Sequence, residues 1–232
     1  MSRGKKRRSL YLRWGLLAQV LALAVCICGC ASYVALEDRA FVMAIGIDRE
    51  EDGYRISYAF PDLAELTGNS KGGYEKTLSF VGDSLEDARM QYEKTGKRSV
   101  DYGQVKVLII GESLLDDEKA LEKILVEMTE NPEFARTILL CGVEGEAKAM
   151  IDLDREVEGS IGIYLEELFE NNGEKMGYET VILNDVSGMG MDRQRTELAI
   201  PLLKIEEKRP ILEDRISIFV LAHPGRSLYT VG

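Results

Sequence analysis

Only one histidine occurs in the 232 residues, His223, and three of the four cysteines fall within the first 30 positions. Zinc centres and nucleophile–base pairs draw on histidine held by oriented partners. His223 stands in a His-Pro-Gly turn instead and reads as a turn residue. There is no Cys-x-x-Cys pair, so no zinc site is legible. No internal repeat of 20–50 residues and no low-complexity tract is present, which excludes solenoid and propeller architectures. Positive charge is also scarce beyond the N-terminus. Residues 1–29 carry six basic side chains and no acidic one, which leaves 23 basic against 40 acidic residues in the remainder, a net charge of −17. A surface of that sign repels nucleic acid and anionic headgroups, so nucleic-acid binding is rejected as a main role.

The N-terminal 29 residues have the three parts of an export signal. A basic region runs from Ser2 to Arg13 and an apolar stretch from Leu16 to Ile27, interrupted by Gln19. Ile27-Cys28-Gly29-Cys30 follows, a lipobox: an aliphatic residue, a tolerant position, a small residue and a cysteine. Small Gly29 admits a peptidase to the Gly29–Cys30 bond, and the Cys30 thiol can take a diacylglycerol thioether, with N-acylation of the freed amine possible in addition. Cys26 and Cys28 follow Val25 and Ile27, side chains too large for the position before a cut. The competing reading is an uncleaved transmembrane anchor, because the charge-free run Trp14–Leu36 is long enough to span a bilayer. Either way the basic cluster stays in the cytoplasm and the rest of the chain is placed outside. The expected location is the outer face of the cytoplasmic membrane. Cleavage leaves Cys30 and Cys141; with Cys30 acylated, no disulfide framework exists, and Cys141, inside an apolar run, is expected to be a buried, inert thiol.

Past a tether at residues 30–38, strands and helices interleave. Phe41–Ile47 reads as a buried strand, and Ile56, Tyr58 and Phe60 alternate after the turn at Asp52-Gly53, together a β-hairpin. Residues 63–74 read as a loop and 77–81 as a strand. Ser84 caps a helix, with Asp87 placed for a capping box, and Gly96 ends it. Val105–Ile110 reads as a central strand. The spacing of Leu121, Ile124, Leu125 and Met128 predicts a helix over 116–130 that Asn131-Pro132 terminates. A buried strand follows at 136–143, a short helix at 147–153, and a helix from Ser160 through Phe169 stopped at Asn171-Asn172-Gly173. A strand over 197–205 is bent by Pro201, and 216–221 and 228–231 form a hairpin around His223-Pro224-Gly225. The fold class implied is α/β (α+β), a mixed β-sheet covered by helices. The expected divisions are a signal at 1–29, the lipidated tether, an N-terminal α/β domain at 39–206, and the start of a further domain or a terminal hairpin at 207–232.

Candidate chemistry is sparse. Asp152-Leu-Asp154-Arg-Glu156-Val-Glu158-Gly159 echoes a calcium loop, but its glycine comes at the eighth position and Ile163 stands at the twelfth, so solvated charge before a helix is the plainer reading. Gly188-Met-Gly190 lacks the third glycine of a dinucleotide fingerprint. Glu166-Glu167 and Asp116-Asp117 are helix neighbours pointing about 100° apart, unsuited to acting as acid–base couples. No catalytic residue, metal ligand or cofactor site is expected, apart from the covalent lipid at Cys30.

The order of segments is more specific than any one of them. After the lipobox come Glu37-Asp-Arg-Ala-Phe-Val-Met-Ala-Ile-Gly-Ile-Asp48, Tyr102-Gly-Gln-Val-Lys-Val-Leu-Ile-Ile-Gly-Glu112, the helix ending Asn131-Pro-Glu133, the strand at 136–143 and Glu197-Leu-Ala-Ile-Pro-Leu-Leu-Lys204. This set resembles the Ger(x)C family, the lipoprotein C subunits of spore germinant receptors, over roughly residues 15–232. Ala31-Ser32 stand where the family often has Trp-Asp, and Gln104-Val105-Lys106 where it often has His-Leu-Lys. Family members usually continue with further domains, so the resemblance implies that the chain is truncated or a short variant. The resemblance implies a non-enzymatic subunit in the inner spore membrane, beside receptor A and B membrane subunits, and carries over one residue with a defined role, Cys30. Whether the subunit meets a small-molecule ligand directly is left open. A solute-binding lipoprotein feeding a transporter is the alternative, and it would need a deep pocket between lobes.

Overall fold

The computed structural model describes residues 38–61, 77–96, 98–157, 159–177, 179–187 and 195–221, with Trp14 and Gln19 before them. The chain divides into two units, Met1–Glu37 and Asp38–Gly232. In the first, Trp14 and Gln19 are helical. Cys30, the loop at 63–74, Gly188-Met189-Gly190, His223 and the strand expected at 228–231 lie outside the described residues.

In the second unit the apolar run after residue 40 is divided. Arg39–Phe41 (β1) leaves the main sheet and pairs in parallel with Ser99–Asp101 (β5). The chain then turns into Ala44–Glu50 (β2). A two-residue turn, Glu51-Asp52, leads to Gly53–Ala59 (β3), and Thr77–Gly82 (β4) adds antiparallel to its far side. Val107–Gly111 (β6), Leu139–Val143 (β7) and Arg195–Glu206 (β8) continue from β2 as parallel neighbours, and Arg209–Leu221 (β9) closes the row antiparallel to β8. The result is a seven-stranded mixed sheet in the order β4-β3-β2-β6-β7-β8-β9.

Period-2 alternation sends the strand side chains to two cores. Ile45, Ile47, Tyr54, Ile56, Tyr58, Leu108, Ile110 and Leu140 meet Leu85–Thr95 (α1), Glu112–Leu115 (α2), Glu118–Glu130 (α3) and Leu183–Ser187 (α6) on one face. Ala44, Ala59, Val107, Ile109, Cys141, Val143 and Leu203 meet Ala147–Asp152 (α4), the 3-10 turn Leu153–Arg155 and Ile161–Met176 (α5) on the other. Covering both faces accounts for the continuous apolar runs of β2, β6 and β7. The predicted stripe of α3 (Leu121, Ile124, Leu125, Met128) is buried throughout, each side chain contributing about 1.5–3 kcal/mol.

Several element boundaries differ from the sequence reading. The helix expected over 116–130 is α3, which starts two residues later at Glu118: Asp117, whose carboxylate accepts the Ala120 N–H at 3.1 Å, caps it, and a separate short helix, α2, precedes it and ends at Leu115. The capping box of α1 is displaced. Ser84 Oγ accepts from Asp87 N as expected, but the Asp87 carboxylate returns to the N–H of Asp83 rather than Ser84. Asn171-Asn172-Gly173 does not stop α5. Asn172 Nδ2 bonds back to Leu168 O, Gly173 is buried, and the helix runs on to Met176. Gly177 follows with φ +71°, the left-handed conformation that ends helices and that glycine adopts without penalty. The strand over 216–221 is the second half of β9, and its partner is β8, reached through the turn Glu207-Lys208, both at positive φ. Pro201 lies in β8 opposite Arg215, and the irregularity falls just after it, between Leu202 and Leu203.

Candidate functional site

Open α/β sheets bind ligands in the crevice beyond the carboxyl ends of adjacent parallel strands whose onward connections diverge. Here that place is the β2–β6 boundary. From β2 the chain turns to β3 on one side; from β6 it crosses to β7 on the other. The groups at these strand ends are Asp48, Arg49 and Glu50 on β2, Gly111, Glu112 and Ser113 after β6, and Glu144, Gly145 and Glu146 after β7.

The protein fills this crevice with its own hydrogen bonds. Asp48, 4% exposed, extends from β2 across the end of β6 and accepts the backbone N–H groups of Ala147 at 2.6 Å and Lys148 at 3.0 Å. These are first-turn donors of α4, and Glu146, the residue before α4, makes no side-chain cap. Asp48 therefore caps a helix about one hundred residues away. Burial raises its pKa, the two N–H bonds pull it down, Glu146 adds to the rise and Arg55 opposes it; the net direction is upward. Arg49 N–H, left facing the β6 side beyond the last ladder bond, donates to Ser113 Oγ at 2.9 Å. Glu112 accepts the Gly145 N–H on its carboxylate and donates its own N–H to Gly145 O, both at 2.9 Å. Glu144 N–H reaches Leu203 O on β8. Two glycines make the closure possible. A Cβ on Gly111 would collide with Asp48 Oδ1, and one on Gly46 would sit 2.8 Å from Ile151 Cγ1 of α4.

Around this seal, Arg49 bonds Asp117 at 3.1 Å and the carbonyl of Gly53, and its guanidinium lies 5.4 Å from the centroid of the Tyr54 ring. The Ala120 N–H, followed by Arg49, holds the Asp117 carboxyl below its ordinary value.

The other carboxylates singled out from sequence are dispersed. Asp154 is buried and accepts Ile161 N–H at 2.7 Å at the start of α5. Asp152 meets Lys148 and Thr77, and Glu156 meets Lys208. These three point to separate partners, and no group of His, Cys, Asp and Glu suited to a metal ion occurs among the described residues. Glu166 pairs with Lys106 at 3.2 Å, and Glu167 is exposed. Asp116 is exposed while its neighbour Asp117 caps α3. Cys141 is fully buried, with its pKa raised by burial, and its Sγ faces Leu108 O at 3.7 Å. Sequence reasoning did not single out Asp48; the available sign was an acid ending an apolar strand run. An open depression of about 500 Å³ lies between β4 and α4, lined by Thr77, Leu78, Ser79, Lys148, Asp152 and Arg155.

The described unit is thus a mixed α/β domain whose usual ligand crevice is sealed by its own side chains. Residues 32–205, from two positions past Cys30 to the penultimate residue of β8, match the family described as spore germination protein N-terminal domain, and the chain belongs to that family. It is similar to YfkR of Bacillus subtilis (strain 168), a protein named for spore germination, at 29% identity over 148 residues, covering 60% of this chain and 38% of YfkR. The chain thus matches well under half the length of that relative. No solved structure gives a significant match. The resemblance read from the ordered segments holds at the level of the family.

Proposed function

We propose that this chain is a non-enzymatic, lipid-anchored subunit of a spore germinant receptor, working through assembly with the receptor's A and B membrane subunits. Family membership supports a role in germination. The observation that favours assembly over chemistry is the crevice at β2–β6, where Asp48, Ser113 and Glu112 are each engaged in holding the fold together. The sequence Ile27-Cys28-Gly29-Cys30 supports the anchor. Two acyl chains, at ~0.8 kcal/mol per buried CH₂, hold a protein at a bilayer without a spanning helix. The acidic body, itself unattracted to anionic headgroups, then depends on the lipid for its place.

Mass spectrometry of the protein from membranes should find an N-terminal Cys30 carrying diacylglycerol, and Cys30→Ala should move the chain to the soluble fraction and impair nutrient germination. An intact Met1 on the membrane-bound protein would refute the anchor. Copurification from membranes extracted in mild detergent should bring down the A and B subunits; their absence, with normal germination of a strain lacking this gene and its paralogues, would refute the assembly role.

A further inference from the structure

The two edges of the sheet are protected very differently. β9 carries Pro210 and the charged run Glu213-Asp214-Arg215, features that discourage another strand from pairing. β4 reads Thr77-Leu-Ser-Phe-Val-Gly82, with neither charge nor proline.

Register shows which β4 backbone groups turn away from β3. The two-residue turn closes the β2–β3 hairpin on the pair Glu50–Gly53, so Gly53, Arg55, Ser57 and Ala59 turn their backbone groups to β2, and Tyr54, Ile56 and Tyr58 turn theirs to β4. Their partners Gly82, Phe80 and Leu78 are thereby paired, while Thr77, Ser79 and Val81 point their N–H and C=O groups outward. Two observations agree with this assignment. Ser57 and Ser79 lie in a non-hydrogen-bonded pair, where side chains approach most closely, and their hydroxyls are 2.8 Å apart. The outward carbonyl of Val81 is taken by Gln91 Nε2 of α1 at 2.7 Å. Among the described residues no backbone bond reaches the outward groups of Thr77 and Ser79.

Beside these groups lies the depression between β4 and α4. Lys148 and Asp152 neutralise one another there, and Thr77 Oγ1 donates to Asp152 at 3.2 Å. Arg155 is exposed and has no ionic or hydrogen-bond partner among the described residues. Next to an uncharged edge in an acidic body, it is the one cation lining this depression that no described residue pairs.

We propose that β4 accepts an extended strand from a partner polypeptide at Thr77–Val81, and that the partner strand carries an acidic side chain that meets Arg155. Backbone pairing would supply affinity and the Arg155 contact register and charge preference. A second copy of this chain fits less well, since its β4 would bring no carboxylate to Arg155.

The test uses the full chain in detergent and a soluble peptide of about eight residues alternating valine and glutamate, a typical strand length, with a lysine-for-glutamate version as control. Amide exchange read by NMR should show Thr77, Ser79 and Val81 exchanging quickly in the free chain while Leu78 and Phe80 exchange slowly. The glutamate peptide should slow the first three. Arg155→Glu should weaken that peptide about tenfold and transfer preference to the lysine peptide. Val81→Pro removes an outward N–H without touching the β3 ladder and should weaken both. The proposal is overturned if neither peptide slows these amides, if both bind wild type equally, or if the three amides are already slow in the free chain. It is equally overturned if their protection rises with protein concentration as the mass doubles, which would assign the edge to a second copy.

Discussion

Asp48 lies on β2 and Gly111 at the end of the adjacent β6, and the carboxylate occupies the space that a side chain at 111 would need. Each residue is legible only through the other: the glycine is small so that the acid can cross, and the acid crosses to reach the first turn of α4. Asp48→Asn would turn one acceptor into an NH₂ group facing a backbone N–H. A loss of about 1–3 kcal/mol is expected in urea unfolding. Gly111→Ala should cost at least as much, and much of that cost should vanish in an Asp48→Ala background, where the collision is gone.

The same carboxyl gives a pH signature. Its folded-state pKa is raised, chiefly by burial, above the value of 3.8 for an ordinary aspartate. The folded protein then binds this proton more readily than the unfolded chain. The penalty of burying the charge is full at neutral pH and is relieved as pH falls through the raised pKa, levelling off below 3.8. The unfolding free energy of wild type minus that of Asp48→Asn should therefore increase between neutral pH and pH 4. A difference that shrinks on acidification would contradict the assignment.

Tyr58 and Tyr102 share one hydrogen bond, 2.8 Å between hydroxyls, inside an aromatic cluster with Phe60, Phe80, Tyr92 and Phe134. Both pKa values are raised by burial, so both remain phenols. Either single change to Phe strands one buried hydroxyl and should cost about 1–3 kcal/mol, whereas Tyr58→Phe with Tyr102→Phe should cost less than the sum of the two. A double-mutant cycle by urea denaturation checks this, and strict additivity would show that the hydroxyls are not coupled.

What could be seen in the sequence follows physical range. Alternation and apolar runs are local, and they located β2, β3, β4, β6 and α3. The sealed crevice depends on partners about one hundred residues apart, Asp48 with Ala147 and Lys148, which no local pattern records. α5 shows the limit from the other side. Asn171-Asn172-Gly173 carries the composition of a helix stop, yet Gly173 is buried and the helix continues past it. Tertiary packing outweighed the ~1 kcal/mol that glycine costs inside a helix. β5 escaped notice because a three-residue strand is shorter than any periodicity can reveal.

Gly162, in the first turn of α5, sits against the carbonyl of Met43, just ahead of β2. A Cβ at 162 would overlap that backbone oxygen, and neither partner is a flexible side chain that could swing aside. Gly162→Ala should destabilise by about 1–3 kcal/mol or more, although alanine is the better helix former. Gly159 nearby makes a control: nothing lies within 4 Å of its Cβ position, and its φ of +78° leaves only conformational strain, about 1–2 kcal/mol. Thermal unfolding of the two variants should rank Gly162→Ala as the worse.

Cys141 tests whether the body opens without unfolding. Its thiol is fully buried between β6 and the helices α4 and α5, and burial pushes its pKa well above that of a free cysteine. A thiol in that setting is neither reachable nor ionised, so alkylating reagents should leave it unmodified in the folded chain and react in denaturant. Peptide mass spectrometry after iodoacetamide treatment separates Cys141 from the leader cysteines. Its rate of labelling under native conditions should follow the population in which α4, held by Asp48, has left the sheet and exposed the sulfur. Asp48→Asn should therefore accelerate labelling. By the same linkage, a loss of 1.4 kcal/mol corresponds to about a tenfold larger open population. Labelling that is fast in wild type and indifferent to Asp48 would mean that the sulfur is reached by a route other than the release of α4.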